Sequence, residues 1–376
     1  MSEHDDADEV VDAELVDDHL PARRNTGLPA HPGTKNDPDA WLPPEVQEDV
    51  KAGIADATDR AYTADFEQFA AWCATVGRRP MPAAAQTVTH YISTLTRTPR
   101  AKTGRPYSPA TLERIIAAIR TTHAAADQPI PETKGARKVV AGYRERLANA
   151  KDPAAAPRRV SPALPDIVRR ALAPLDRTTL RGKRDAALLL LGFACAARAS
   201  ELVALDIDSV TTPPEVEGIG VKVKLYRRKV KKWQDITVKY GKDPDTCPVR
   251  AVRALIAALA DEGHTAGPLF LRIDRWGYLA PPMYRGGRPI GDPSGRMTEE
   301  AASDVVEKAM ARVGQPGRWR SHSLRRGFVT AARKAGADPV HTSRHGGWVD
   351  GSKAYQSYIE EDDGLGDDNP LTDIGL

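Results

Sequence analysis

Between residues 58 and 147 apolar side chains return every three or four positions, the spacing of one face of an α-helix. Tyr62, Phe66, Phe69, Ala70, Trp72 and Cys73 mark a first helix from Thr58, and a second covers Ala85–Leu95. A third follows Ser108-Pro109, where serine suits the cap and proline the first turn. It sets Leu112, Ile115, Ile116 and Ile119 on one face, with Arg114, Arg120 and His123 elsewhere. A fourth, Arg/Lys-rich, lies near Lys138–Leu147. The Pro/Ala-rich run Ala150–Arg159 breaks the pattern and reads as a linker. Beyond it, Pro162–Leu172 and Arg184–Ala197 read as helices, the second so apolar over Ala186–Leu191 that it is expected to be buried. The period shortens to two in Val221–Tyr226 and Asp235–Val238, as in strands, with the basic stretch Arg227–Trp233 as a hairpin loop. The remainder reads as mainly helical, with a long Gly/Pro-rich loop at Gly277–Gly295.

These elements predict a mainly α chain with a small β-sheet: a helical domain over 46–150, a linker over 151–160 and an α+β domain over 161–376. Residues 1–45, acidic and then Pro/Gly-rich, are expected to form a disordered arm. Composition narrows the class. No apolar run approaches the ~18 residues of a membrane span, and the acidic N-terminus is unlike a secretory signal. Cys73, Cys195 and Cys247 form no CxxC pair, which suits a reducing cytoplasm and argues against a disulfide framework or a cysteine metal site.

The net charge of +3 conceals a segregation. The first twenty residues hold nine carboxylates and seven more follow from Glu360 onward, neither stretch with a Lys or Arg. The body between them is strongly basic, which suggests a polyanionic partner such as nucleic acid. From Arg97 to Arg159 fourteen bases face five acids. Arg114, Arg120, Arg137, Lys138, Arg144, Arg158 and Arg159 are the candidate DNA contacts there.

Three clusters carry candidate chemistry. In Gly192-Phe-Ala-Cys-Ala-Ala-Arg198-Ala-Ser-Glu201, an apolar helix is expected to deliver Arg198 at its far end, with Glu201 sharing its face if the helix continues. In His322-Ser-Leu-Arg325 a guanidinium that forks around phosphate oxygens and an imidazole that moves protons share one helical face. Ser321 or Ser323 is the expected cap. In Arg344-His-Gly-Gly-Trp348 through Tyr358-Ile, the glycines mark a tight turn presenting Trp348, and Ser352 can cap a short helix carrying Tyr355 and Tyr358.

Taken in order after a basic helical module, the clusters resemble the tyrosine recombinase, or phage integrase, family over about residues 58–376. Arg198 and the supporting Glu201 are similar to the family's first box, His322 and Arg325 to its second. Trp348 stands at the position of a His or Trp after Gly, and Tyr358 at the nucleophile. Trp348 and Tyr358 are ten residues apart, one more than the usual spacing, so Tyr355 stands as the alternative nucleophile. The family lysine, about seven residues before the core of the second strand, falls on Lys229, with Lys231 and Lys232 open because hairpin loops slide.

The resemblance implies a helical core-binding domain, a catalytic domain, and metal-independent transesterification of DNA with no cofactor. Tyr358 would attack, Arg198 and Arg325 clamp the phosphate, His322 assist proton transfer, Lys229 protonate the 5′-hydroxyl and Trp348 donate to a phosphate oxygen. It also implies four protomers on double-stranded DNA, with no membrane and no small-molecule substrate, and the acidic tail 360–376, ending in apolar residues, is a candidate to dock on a neighbour. A transposase of the same catalytic class and an inactive DNA-binding protein with this fold are the alternatives.

Overall fold

The computed structural model describes residues 45–46, 56–101, 104–156 and 158–359. The expected acidic arm, Glu45 apart, and the tail from Glu360 lie outside them. The chain divides into two compact units, residues 1–157 and 158–376.

The first unit is four helices, α1 (Asp56–Thr75), α2 (Ala85–Leu95), α3 (Pro109–Ala125) and α4 (Lys134–Asn149). α1 packs on α3 and α2 on α4. The apolar faces read from periodicity meet in one core of Phe69, Tyr91, Ile92, Leu112, Ile116 and Val140, with other residues of those faces around them. Ser108 caps α3, its Oγ accepting from the Thr111 N–H at 3.2 Å, with Pro109 in the first turn. α4 begins four residues earlier than its apolar repeat suggests. His123 departs from expectation: it is fully buried, not on the basic side of α3. Its Nδ1 lies 2.6 Å from the Ile119 carbonyl and its Nε2 accepts from the Ala83 N–H at 2.9 Å, so the ring cross-links the core.

The second unit is mainly helical around a small sheet. In order it runs α5 (Pro165–Leu172), α6 (Leu180–Ala194), α7 (Ala199–Val203), β1 (Val210–Thr211), β2 (Gly220–Arg227), β3 (Lys232–Lys239) and α8 (Pro248–Asp261). There follow β4 (Met283–Arg285), β5 (Arg288–Ile290), α9 (Glu299–Arg312), α10 (His322–Lys334), α11 (Pro339–Gly346) and α12 (Lys353–Ile359). β1, β2 and β3 form an antiparallel sheet in that order. α6 is buried over Ala186–Leu191, as its composition predicts, and packs on α8.

Several boundaries in this unit differ from the sequence reading, among them the start of α5, at Pro165 rather than Pro162. α6 starts four residues early, where Thr179 Oγ1 caps the Gly182 N–H, and ends at Ala194 because Ala196 turns left-handed (φ 46°). The β2–β3 hairpin is tighter than expected: Arg227, Lys232 and Trp233 belong to the strands, and Arg227 pairs with Lys232. The Gly277–Gly295 loop contains the hairpin β4–β5, turned by Gly286-Gly287, both at positive φ as a two-residue turn requires. Among the described residues no helix is long and apolar enough to cross a membrane.

Candidate active site

The break after α6 builds the first part of the site. Because the chain reverses at Ala196, Arg198 is not at the far end of the apolar helix, as the sequence suggests, but at the N-cap of α7. Glu201, three residues into the new helix, accepts from the Arg198 backbone N–H at 3.0 Å and from Arg198 Nη1 at 2.6 Å. Its other neighbour is Arg227, whose Nη1 donates to Glu201 Oε2 at 2.7 Å. Glu201 is buried, which alone would raise its carboxyl, but Arg227 and Arg198 outweigh that and hold it below the ordinary carboxylate range. A permanent carboxylate therefore orients Arg198, which keeps a partly exposed guanidinium.

The second part hangs on α10. Its first residue is His322, so His322 and Arg325 share a face one turn apart, as their spacing requires. Neither serine caps it as expected: Ser321 Oγ lies on Ser303 Oγ, and Ser323 Oγ accepts from the Arg320 N–H. Arg325 is fully buried; its Nη1 donates to the carbonyls of Ala196 and of Gly346, the latter at 2.8 Å. Its Nε and Nη2 have no hydrogen-bond partner among the described residues. Burial, with Arg198 close by, lowers its pKa to about 9, which leaves it charged at neutral pH.

The last part is the turn after α11 and the helix α12. Gly347, left-handed at φ 69°, ends α11 and swings Trp348 inward. The indole face lies 3.5 Å from the Arg325 guanidinium carbon, a cation–π stack. In this position Trp348 braces Arg325. Ser352 Oγ caps α12 at the Tyr355 N–H, as expected. On α12 the two tyrosines part company. Tyr355 is buried with its ring 5.4 Å from Trp348, and burial raises its hydroxyl pKa although a hydrogen bond to Thr342 opposes this. Tyr358 meets the edge of Trp348 at 5.2 Å and places its hydroxyl 2.7 Å from His322 Nε2. Burial, then Arg325, Arg198 and Arg326, push the His322 ring down to about 4. At neutral pH it is uncharged and can accept the tyrosyl proton.

Arg198, Glu201, His322, Arg325, Trp348 and Tyr358 thus form a connected constellation, although they come from three separate stretches of chain. Lys229 sits on the exposed turn Arg228–Val230, with Lys231 left-handed at its end and Lys232 opening β3. Of the expected DNA contacts in the first unit, Arg114 is paired with Asp65 at 3.2 Å and Arg120 donates to Thr133. Arg137 is half-buried, while Lys138 and Arg144 are exposed on α4. In the second unit Arg158 and Arg159 are exposed, and Arg159 donates to the Ser357 carbonyl beside Tyr358.

The residue that the sequence reading missed is Arg227, assigned there to a loop. It follows Val221, Val223 and Leu225 on the inward parity of β2, and that parity was the available signal. Among the described residues no three His, Cys, Asp or Glu side chains gather as a metal site. A cavity of about 630 Å³ lined by Leu175, Arg184, Arg272, Met283, Val305 and Arg312, among others, shares no residue with the constellation.

Residues 165–364, more than half of the chain, match the family model described as "Phage integrase family". The chain is 27% identical over 318 residues to the integrase/recombinase xerD homolog of Selenomonas ruminantium, covering 82% of each protein. Among solved structures it is similar to a lambda integrase dimer bound to a COC′ core site, with 12% identity, TM-score 0.49 and 84% and 93% of the two chains covered. The Tn1549 transposon integrase in complex with transposon right end DNA gives 14% identity, TM-score 0.49 and 84% and 92% of the two chains covered.

Proposed function

The chain belongs to the phage integrase family of site-specific, DNA strand-transferring recombinases, and from this we propose that Tyr358 cuts and rejoins duplex DNA through a covalent 3′-phosphotyrosyl link. The observation that carries the assignment is the 2.7 Å contact of Tyr358 Oη with a neutral His322 Nε2, beside the two unpartnered donors of buried Arg325. A tyrosine hydroxyl with an ordinary pKa near ~10 must lose its proton as it attacks. His322 takes it. The Tyr358 Oη–P bond forms, the P–O5′ bond breaks, and the departing O5′ takes a proton from the Lys229 ammonium.

The non-bridging oxygens gain charge in this step. Arg198, aimed by Glu201, and Arg325, braced by Trp348, meet that charge with preorganised cations, the kind of contribution worth ~10²–10³ per donor group removed. Residues of this set come from the chain itself, and no cofactor enters the scheme. Exchange between two duplexes cuts four strands, one tyrosine to each, so a homo-tetramer on DNA is part of the proposal. The basic residues Arg114, Arg120, Arg137, Lys138, Arg144, Arg158 and Arg159 are proposed to contact phosphates, which positions the duplex without reading its sequence.

A test uses duplexes recovered from a random-sequence pool by binding to the protein, nicked so that cleavage traps the adduct. Wild type and Tyr355→Phe are expected to accumulate protein-bound DNA, and Tyr358→Phe none. Adduct from Tyr358→Phe but not from Tyr355→Phe would move the nucleophile to Tyr355.

A further inference from the structure

We infer that Arg227 is a positioning residue for the leaving-group step: it latches the neck of the β2–β3 hairpin to the site and thereby sets where Lys229 delivers its proton. The inference rests on the reading of Lys229 as general acid. Arg227 is the last residue of β2, two before Lys229, and only 1% exposed. Its Nη1 donates to Glu201 at 2.7 Å, its Nη2 to the carbonyls of Cys195 (3.1 Å) and His345 (2.9 Å), and its Nε to Gln234 on the opposite strand (2.8 Å). Gln234 Nε2 in turn donates to the Arg344 carbonyl at 2.7 Å. Both strands of the neck are therefore tied to the segment that leads into Trp348, and Arg227 is also tied to the carboxylate that aims Arg198.

Three observations separate this latch from ordinary packing. Four of the five guanidinium N–H donors are engaged, so Arg227 is not a phosphate ligand. The inward row of β2 is otherwise Val221, Val223 and Leu225, and an apolar fourth member would fill the place without the desolvation that a buried cation incurs. The next turn also leaves room for the guanidinium: a Cβ on Gly347 would lie 2.7 Å from Arg227 Nε. Beyond the latch lies the short exposed turn Arg228–Val230 that carries Lys229, so a shift of the neck carries the lysine with it.

The chemistry supplies a selective readout. When Tyr358 Oη–P forms and P–O5′ breaks, the electron pair leaves on O5′ and needs the lysine proton. A sulfur at that bridging position leaves as a thiolate, stable near a thiol pKa of ~8.5, and needs none. The full chain is assayed on one selected nicked duplex with either oxygen or sulfur at the bridging 5′ position. On oxygen, Lys229→Ala is expected to lose ~10²–10⁴-fold and Arg227→Lys on the order of 100-fold, the effect of a displacement of about 1 Å. Sulfur is expected to restore both to near the wild-type rate, and Gln234→Ala to follow the same pattern more mildly.

If sulfur restores Lys229→Ala but neither Arg227→Lys nor Gln234→Ala, the latch is overturned and the lysine reading stands. If sulfur restores none of them, the lysine reading fails and takes the latch with it. Melting curves report whether Arg227→Lys folds; if it does not, Gln234→Ala decides alone.

Discussion

His322 is where burial becomes chemistry. The ring lies among Arg325, Arg198 and Arg326 and is kept neutral down to about pH 4, so at physiological pH it is uncharged, as the proposed transfer of the tyrosyl proton to it requires. The linkage has a definite sign. An unfolded histidine takes its proton near ~6.5, so below that the unfolded chain holds a proton that the native ring refuses. Native stability from this group is full above about pH 6.5 and falls by roughly 1.4 kcal/mol per unit towards pH 4. NMR titration of the free enzyme is expected to place the His322 imidazole midpoint near 4; a midpoint near the unperturbed ~6.5 would show that the arginines and burial do not govern it. At this scale the sequence was informative where spacing decides proximity: His322 and Arg325 share a face of α10 as read, and Arg198 and Glu201 meet, though through a helix cap rather than along one helical face. It could not distinguish Tyr355 from Tyr358, three residues apart, because that depends on what α12 packs against.

At the scale of elements the site is made by breaks in helices. α6 stops at a left-handed alanine, Ala196, whose carbonyl then accepts from Arg325. No residue type announced that break, and the helix was read three residues too long. The Gly346-Gly347 turn, by contrast, was legible, since glycine tolerates positive φ. Gly347→Ala meets both a left-handed backbone and a guanidinium held by four hydrogen bonds. The backbone alone costs roughly 1–2 kcal/mol, so melting of the second unit is expected to fall by roughly 2–8 °C. Its cleavage rate is expected to fall as well, because the same clash presses on the hairpin latch. A variant with unchanged melting and cleavage would show that Arg227 yields freely. Arg227 itself was hidden in a basic run, Arg227–Lys232, in which every cation looked alike until strand parity sorted one inward and the rest outward.

For the whole molecule, charge is distributed by segment. Residues 1–20 hold nine carboxylates and no Lys or Arg, so removing them takes the formal charge from +3 to about +12. Non-specific duplex binding followed by anisotropy is expected to tighten on that truncation at low salt. The difference should close above about 0.3 M, where screening is shorter than ~10 Å; equal affinities at low salt would show that the acidic segment does not act on DNA binding. Helical periodicity ends at a Pro/Ala-rich run where the two compact units divide, whereas the β4–β5 hairpin was not readable, because its six residues are all exposed and carry no alternation.

The most direct measurement of the central claim is the identity of the tyrosine that carries DNA. The trapped adduct, digested with trypsin and nuclease, leaves a nucleotide on the peptide that begins at Ala354 and holds both tyrosines. Fragmentation by mass spectrometry is expected to place the phosphate on Tyr358. A phosphate on Tyr355, or a cleaved duplex with neither tyrosine modified, would contradict the account.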